Sequence, residues 1–166
     1  MTQAHTRLIT RRQTLHHLAW GLSAWALSTG VVQAAETSLP VTSSLPESLQ
    51  QALQRKQPLV VMVSLHGCPF CKVVRENYLM PLQREGLPVV QLNMRSTQAI
   101  TDLNGSAQTQ DGLIRKWGIQ LAPTVLFLGP QGKEVASRLK GAYLADFYGA
   151  YLDEQLAQAR QATARP

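Results

Sequence analysis

Leu59-Val60-Val61-Met62-Val63-Ser64-Leu65-His66-Gly67-Cys68-Pro69-Phe70-Cys71-Lys72 is the stretch on which the fold of this chain turns. Residues 59–65 are apolar on both faces apart from Ser64, the pattern of a buried central strand with parallel neighbours. From Pro69 the sequence reads as helix to about Leu79, with Val73, Val74 and Asn77-Tyr78 placed to pack and Pro81 ending it. Cys68 and Cys71 therefore sit at a strand-to-helix junction, where two thiols three positions apart can close into a disulfide with little backbone movement. They are the only 2 cysteines among 166 residues. A loop so short makes a poor staple, since the chain-entropy model gives it about 2 kcal/mol against roughly 4–5 for a long one. It makes a better redox switch.

Working outward, Ser44 can N-cap a helix that starts at Leu45-Pro46 and ends near Lys56, with Leu45, Leu49, Ala52 and Leu53 on one face. A second strand is expected over Pro88–Met94, which makes a right-handed βαβ unit with the first. Residues 95–111 are polar, contain Asn104-Gly105 and read as a surface loop. A short helix follows from about Gln110 to Trp117, ended by Gly118. Thr124–Leu128 and Lys133–Leu139 read as a hairpin joined by the turn Gly129-Pro130-Gln131-Gly132. A helix from Leu144 to about Arg160 closes the chain, with Phe147, Tyr151, Leu152 and Leu156 on its apolar side. The predicted order is α-βα-βα-ββα, an α/β fold with a four-stranded mixed central sheet flanked by helices.

Residues 1–34 read as a signal peptide rather than as part of this domain. Arg7, Arg11 and Arg12 precede an apolar, small-residue run, Leu18–Val32, and Val32-Gln33-Ala34 offers small residues at the −3 and −1 positions of a cleavage site. The run is about 15 residues, short of the roughly 20 that span a bilayer as a helix. Thr10-Arg11-Arg12-Gln13-Thr14-Leu15 resembles the bacterial twin-arginine export motif, departing from it at Thr14 and His16. The alternative is an ordinary secretory leader, and both routes lead to the periplasm. Residues 35–44, small, polar and proline-containing, read as a flexible lead-in, and 45–166 as the domain. The whole chain carries 16 basic and 10 acidic residues, a net of +6. Without the leader the balance is 13 to 10, a net of +3. Those charges are scattered as singles and pairs, which argues against a nucleic-acid partner.

The element order, with Cys-x-x-Cys after the first core strand, resembles the thioredoxin fold. Cys68-Pro69-Phe70-Cys71 is similar to the redox motif of that family and to the Cys-Pro-aromatic-Cys form of glutaredoxins. Trp117-Gly118-Ile119-Gln120-Leu121-Ala122-Pro123-Thr124 resembles the family's approach to its third strand, which implies that Pro123 is cis and that the Ala122 backbone lies beside the disulfide. Phe127–Glu134 resembles the family's last hairpin, and Gly141 the glycine after it. His66–Lys72 followed by Tyr78-Leu79-Met80-Pro81-Leu82 looks like the exported thioredoxins of sulfur-oxidation operons. Two positions depart from the family. Gly67 stands where a tryptophan is usual. Met62 stands where thioredoxins bury a carboxylate that accepts the proton of the second thiol.

The expected function is that of an exported thiol–disulfide oxidoreductase that reduces protein or small-molecule disulfides through a Cys68–Cys71 cycle. Cys68 at the helix N-terminus is the attacking sulfur and Cys71 the resolving one. Pro69, Phe70, His66, Ala122 and Pro123 are the supporting residues, while Lys72 and Arg75 read as exposed helix charges. Disulfide-bearing or dithiol proteins are the expected partners, with a membrane electron donor upstream, for a monomer without cofactors. The rival reading is a thiol chaperone for copper or haem maturation that uses the same two cysteines. A closed zinc site needs four ligands, and outside the leader only Cys68, Cys71 and His66 are on offer. A two-thiolate Cu(I) site helped by Met62, Met80 or Met94 stays open. Haem attachment fails because Lys72 stands where histidine is required.

Overall fold

The computed structural model describes residues 38–142 and 145–164. The expected leader and residues 35–37 lie outside them. Helix α1 runs Leu45–Gln54, β1 Leu59–Ser64, α2 Pro69–Val73, a π-helical turn Val74–Leu79, and α3 Met80–Arg84. Then come β2 Val89–Asn93, β3 Ala99–Thr101, β4 Ala107–Thr109, α4 Gln110–Lys116, β5 Thr124–Leu128, β6 Leu139–Lys140 and α5 Ala145–Ala164. The central sheet has the order β2-β1-β5-β6. Strand β1 is parallel to β2, with Met62 opposite Gln91, and antiparallel to β5, with Met62 opposite Val125. All six residues of β1 are buried, as an apolar run with neighbours on both sides requires.

Alternation along the strands separates two cores. Val60, Met62, Val89, Val125 and Phe127 face the helical run 69–84 and α5, where Val74, Leu79, Tyr148, Leu152 and Leu156 meet them. Leu59, Val61, Val63, Leu92 and Leu126 face α1 and α4. Ser44 caps α1 by accepting the Glu47 N–H at 3.4 Å, and Leu45, Leu49 and Ala52 form its buried face.

Several expectations give way here. Pro81 does not end the helical run that starts at Pro69. The Met80 N–H reaches back to the Arg75 carbonyl, a one-residue widening that lets the chain carry a proline through and stay helical to Arg84. Val73 points outward because Cys71 and Val74 already form the buried face, and beyond the widening Asn77 points outward while Leu79 and Met80 are buried. Arg75 is not an exposed charge, for it turns in against the sheet. In α5, Phe147 and Tyr151 are exposed, Tyr148 takes the inward position, and the helix runs on to Ala164. The lead-in is not loose where it is described. Leu39 is buried, and the Pro40 carbonyl accepts the Gln91 N–H at 2.8 Å, covering the β2 edge.

The expected loop 95–111 contains the hairpin β3–β4, a second sheet. The Asp102 carboxylate accepts the N–H groups of Asn104 and Ser106, each at 2.9 Å, and pairs with Lys116 at 3.1 Å. The Ser106 N–H, helped by Lys116 and Asn104, holds this carboxyl below its ordinary value, against the opposing pull of desolvation. Since the folded value lies under the unfolded one of about 3.9, the stabilisation is present above about pH 4 and drains away as pH falls through the folded value. Asp102→Asn is expected to flatten the acid limb of stability against pH, read from urea melts between about pH 2 and 5.

The fourth strand is shorter than expected. Leu128 bridges Glu134, but regular pairing resumes only at Val125 with Leu139, so the returning strand carries two extra residues across the gap. Such an excess bulges out of the ladder. Arg138, at the bulge, donates to the Trp117 carbonyl at 2.9 Å and to Glu134. Gly129 is needed at the hairpin because a Cβ there would come within 2.5 Å of a Val135 methyl carbon. Gly129→Ala should cost about 1–3 kcal/mol by overpacking, and Val135→Ala in the same chain should return most of it, as read from denaturant midpoints.

Candidate active site

The chain leaves β1 at Ser64 and turns through Leu65-His66-Gly67, with Gly67 at φ +73 supplying the left-handed step. The Cys68 N–H closes the turn on the Leu65 carbonyl at 3.2 Å. Cys68 keeps extended backbone as the N-cap of α2, and Pro69 fills a first-turn position where its missing N–H costs nothing. The Cys68 sulfur accepts the Cys71 N–H at 3.1 Å, so a backbone donor at the helix start already points at it. That donor and the helix dipole favour negative charge on this sulfur.

Cys68 and Cys71 form a disulfide, with their Cα atoms 5.2 Å apart. Their surroundings differ sharply. Cys68 is half-buried at the surface, while Cys71 is fully buried in the core cluster that also holds Met62, Val74, Phe127 and Tyr148. The Ala122–Pro123 peptide bond is cis, and the Ala122 carbonyl oxygen lies 3.9 Å from the Cys68 sulfur. Pro123 is buried, and its carbonyl accepts the Gly141 N–H at 2.8 Å, tying this loop to the end of β6. The Thr124 hydroxyl donates to the Leu121 carbonyl at 2.7 Å and braces the same turn. Phe70 is 55% exposed and Leu121 37%, two apolar groups on the segments that carry Cys68 and Ala122.

The structure thus brings Cys68, Cys71, Pro69, Ala122 and Pro123 to one place. Phe70 stands out from the redox helix. His66 is exposed on the preceding turn, and among the described residues it makes no hydrogen bond to either sulfur. Met62 is fully buried beside Cys71, so no titrating group occupies that position. Tyr148 is no substitute, because desolvation first, and the neighbouring Tyr78 second, push its phenol far up and keep it neutral. Among the described residues no three histidine, cysteine or acidic side chains converge as a metal site. Met62 and Met80 share the cluster of Cys71, whereas Met94 packs on the other face of the sheet.

Sequence reasoning missed the polar group beneath the redox helix. The Arg75 guanidinium donates through Nη1 to the Gln91 side-chain oxygen at 3.1 Å and makes a long contact of 3.5 Å to the Ser64 hydroxyl. The available signal was Ser64 and Gln91, polar residues among the apolar ones of β1 and β2.

A four-stranded mixed sheet with a disulfide at the start of a helix after its first strand, facing a cis-proline turn, defines a thioredoxin-like α/β protein. The chain belongs to the thioredoxin-like domain family, whose model matches residues 45–156. Among solved structures, the periplasmic thioredoxin SoxS from Paracoccus pantotrophus is 20% identical over 62% of this chain and 99% of its own, with a TM-score of 0.43. Thioredoxin f2 from Chlamydomonas reinhardtii is 18% identical over 78% of this chain and 100% of its own, with a TM-score of 0.46. A thioredoxin-fold protein from Helicobacter pylori is 17% identical over 66% of this chain and 83% of its own, with a TM-score of 0.43. No curated relative matches the sequence.

Proposed function

We propose that this protein is an exported thiol–disulfide oxidoreductase that reduces disulfides through a Cys68–Cys71 cycle. The observation that carries the reading is the asymmetry of the two sulfurs. One is half-buried at a helix start and receives a backbone N–H at 3.1 Å, and the other is sealed in the core. In the reduced protein the Cys68 thiolate attacks one sulfur of a substrate disulfide, and the other leaves as a thiolate that takes up a proton. Cys71 then gives up its proton and attacks the Cys68 sulfur of the mixed disulfide. The Cys68–Cys71 bond forms, the second substrate sulfur leaves, and two electrons have passed to the substrate. The Ala122 carbonyl, on the rim beside Cys68, is the backbone group offered to an extended substrate, and Phe70 and Leu121 give apolar contact to a protein client.

Reduction is preferred over oxidation because the segment between β2 and β5 holds only a hairpin and the seven-residue α4 among its regular elements, and no inserted helical domain of the disulfide-forming type. A periplasmic setting follows from the leader-like residues 1–34, and in an oxidising compartment the cycle needs electrons from a membrane donor. A copper-chaperone role fits less well, since both thiolates would have to meet one ion while Cys71 is buried among apolar side chains. The reduced protein should catalyse insulin reduction with dithiothreitol as the electron source. Turbidity no faster than with dithiothreitol alone would defeat the reading.

A further inference from the structure

We infer that Arg75 is the positioning charge for the resolving step: its guanidinium, docked on the sheet beneath the redox helix, stabilises the Cys71 thiolate as that sulfur closes the disulfide. The inference rests on the oxidoreductase reading above and supplies the group that Met62 cannot be.

Arg75 follows Cys71 by four residues, about one turn further along the helical run and just inside its π-helical segment. Its Nη1 is anchored 3.1 Å from the Gln91 oxygen. Gln91 lies directly opposite Met62 in the parallel β1–β2 pairing, and Met62 packs in the same cluster as Cys71. The cation is therefore tethered to the sheet face on which the resolving cysteine packs. Its side-chain contacts are a neutral amide and a hydroxyl, and its Nε is buried without a partner among the described residues. No described carboxylate pairs with it.

Arg75 is half-buried, and its Nε lies out of water with no partner and no counter-charge beside it, an arrangement that costs free energy. The mixed disulfide provides that counter-charge, because the thiolate that forms at Cys71 for the resolving step is the anion this site otherwise lacks. The groups facing Cys71 from the surrounding elements leave Arg75 the field. Strands β1, β2 and β5 contribute no titrating side chain to the cluster, and Tyr148 of α5 is neutral. On the same helical run, Tyr78 packs at the cluster's margin, Lys72 is exposed and Glu76 is half-buried, while His66 is exposed on the turn before. In the resolving step Cys71 loses its proton to solvent, its electron pair forms the bond to the Cys68 sulfur, and the substrate thiolate departs and is protonated. Arg75 lowers the cost of the first of these events.

A purely structural Arg75, tying helix to sheet, would affect stability alone. Stopped-flow reaction of the reduced full chain with the bis-nitrobenzoate disulfide separates the two. The first release of nitrothiolate reports attack by Cys68, and the second, concentration-independent release reports resolution by Cys71. Arg75→Met should move the pH midpoint of the second phase up by about one unit and slow it about tenfold at pH 7, while Arg75→Lys should stay within about threefold of the parent. Should the methionine variant not fold, Arg75→Gln is read in its place. An unmoved midpoint in the neutral variant, or an equal shift in the lysine variant, overturns the inference and leaves the oxidoreductase reading standing. No second phase in the parent protein overturns that reading, and the inference with it.

Discussion

Cys68→Ser is expected to abolish disulfide reduction, with a loss of at least about a thousandfold, because a hydroxyl at this position is not ionised near neutral pH and cannot attack sulfur. Cys71→Ser should lose turnover as completely for a different reason. Its Cys68 still attacks, but the mixed disulfide finds no resolving thiol and accumulates. The two variants thus separate by product: Cys68→Ser captures nothing, and Cys71→Ser captures substrate covalently. Insulin turbidity and non-reducing gels of the trapped adduct measure the two outcomes. The difference follows from the geometry, since the sulfur that accepts the Cys71 N–H at 3.1 Å is half-buried at the rim and its partner is wholly enclosed.

Phe127→Ala is expected to lower the unfolding free energy by about 3–5 kcal/mol, the range for emptying a fully buried aromatic site. Phe127, in β5, is at 0% exposure and faces the cluster that holds Met62, Val74 and Cys71. Pairing of Phe127 with Val60 of β1 limits how far the cavity can collapse on that side, while the bulge on the other side leaves room for some adjustment. Phe127→Leu keeps most of the volume and should cost less than about 1.5 kcal/mol. Urea unfolding at constant m-value measures both. Because Cys71 is packed in the same cluster, the alanine variant should also expose the resolving thiol of the reduced protein to alkylation.

Much of the fold was legible before any coordinates. The all-apolar run 59–63 could only be a central strand, and Ser44 before Leu45-Pro46 marked a helix start that the structure keeps. The places where reading failed share a cause, namely backbone adjustments that side-chain patterns do not encode. The π-turn at Val74–Leu79 changes the helical period, so Asn77, expected inward, lies outward. The two-residue excess between Glu134 and Leu139 breaks a ladder that the apolar pattern suggested would be continuous. In the polar loop, Asp102 builds a hairpin turn from side-chain acceptors, a signal far weaker than hydrophobic alternation. The site itself was better marked, since Cys68 and Cys71 have no competitors. Arg75 escaped because a lone arginine on a helix usually points to water.

The sharpest test is timed alkylation of the reduced chain followed by mass mapping of each cysteine. The account predicts labelling of Cys68 at least about ten times faster than Cys71 near neutral pH, and none of either in the disulfide form. Equal rates, faster labelling of Cys71, or a Cys68 that stays unreactive after reduction would contradict it.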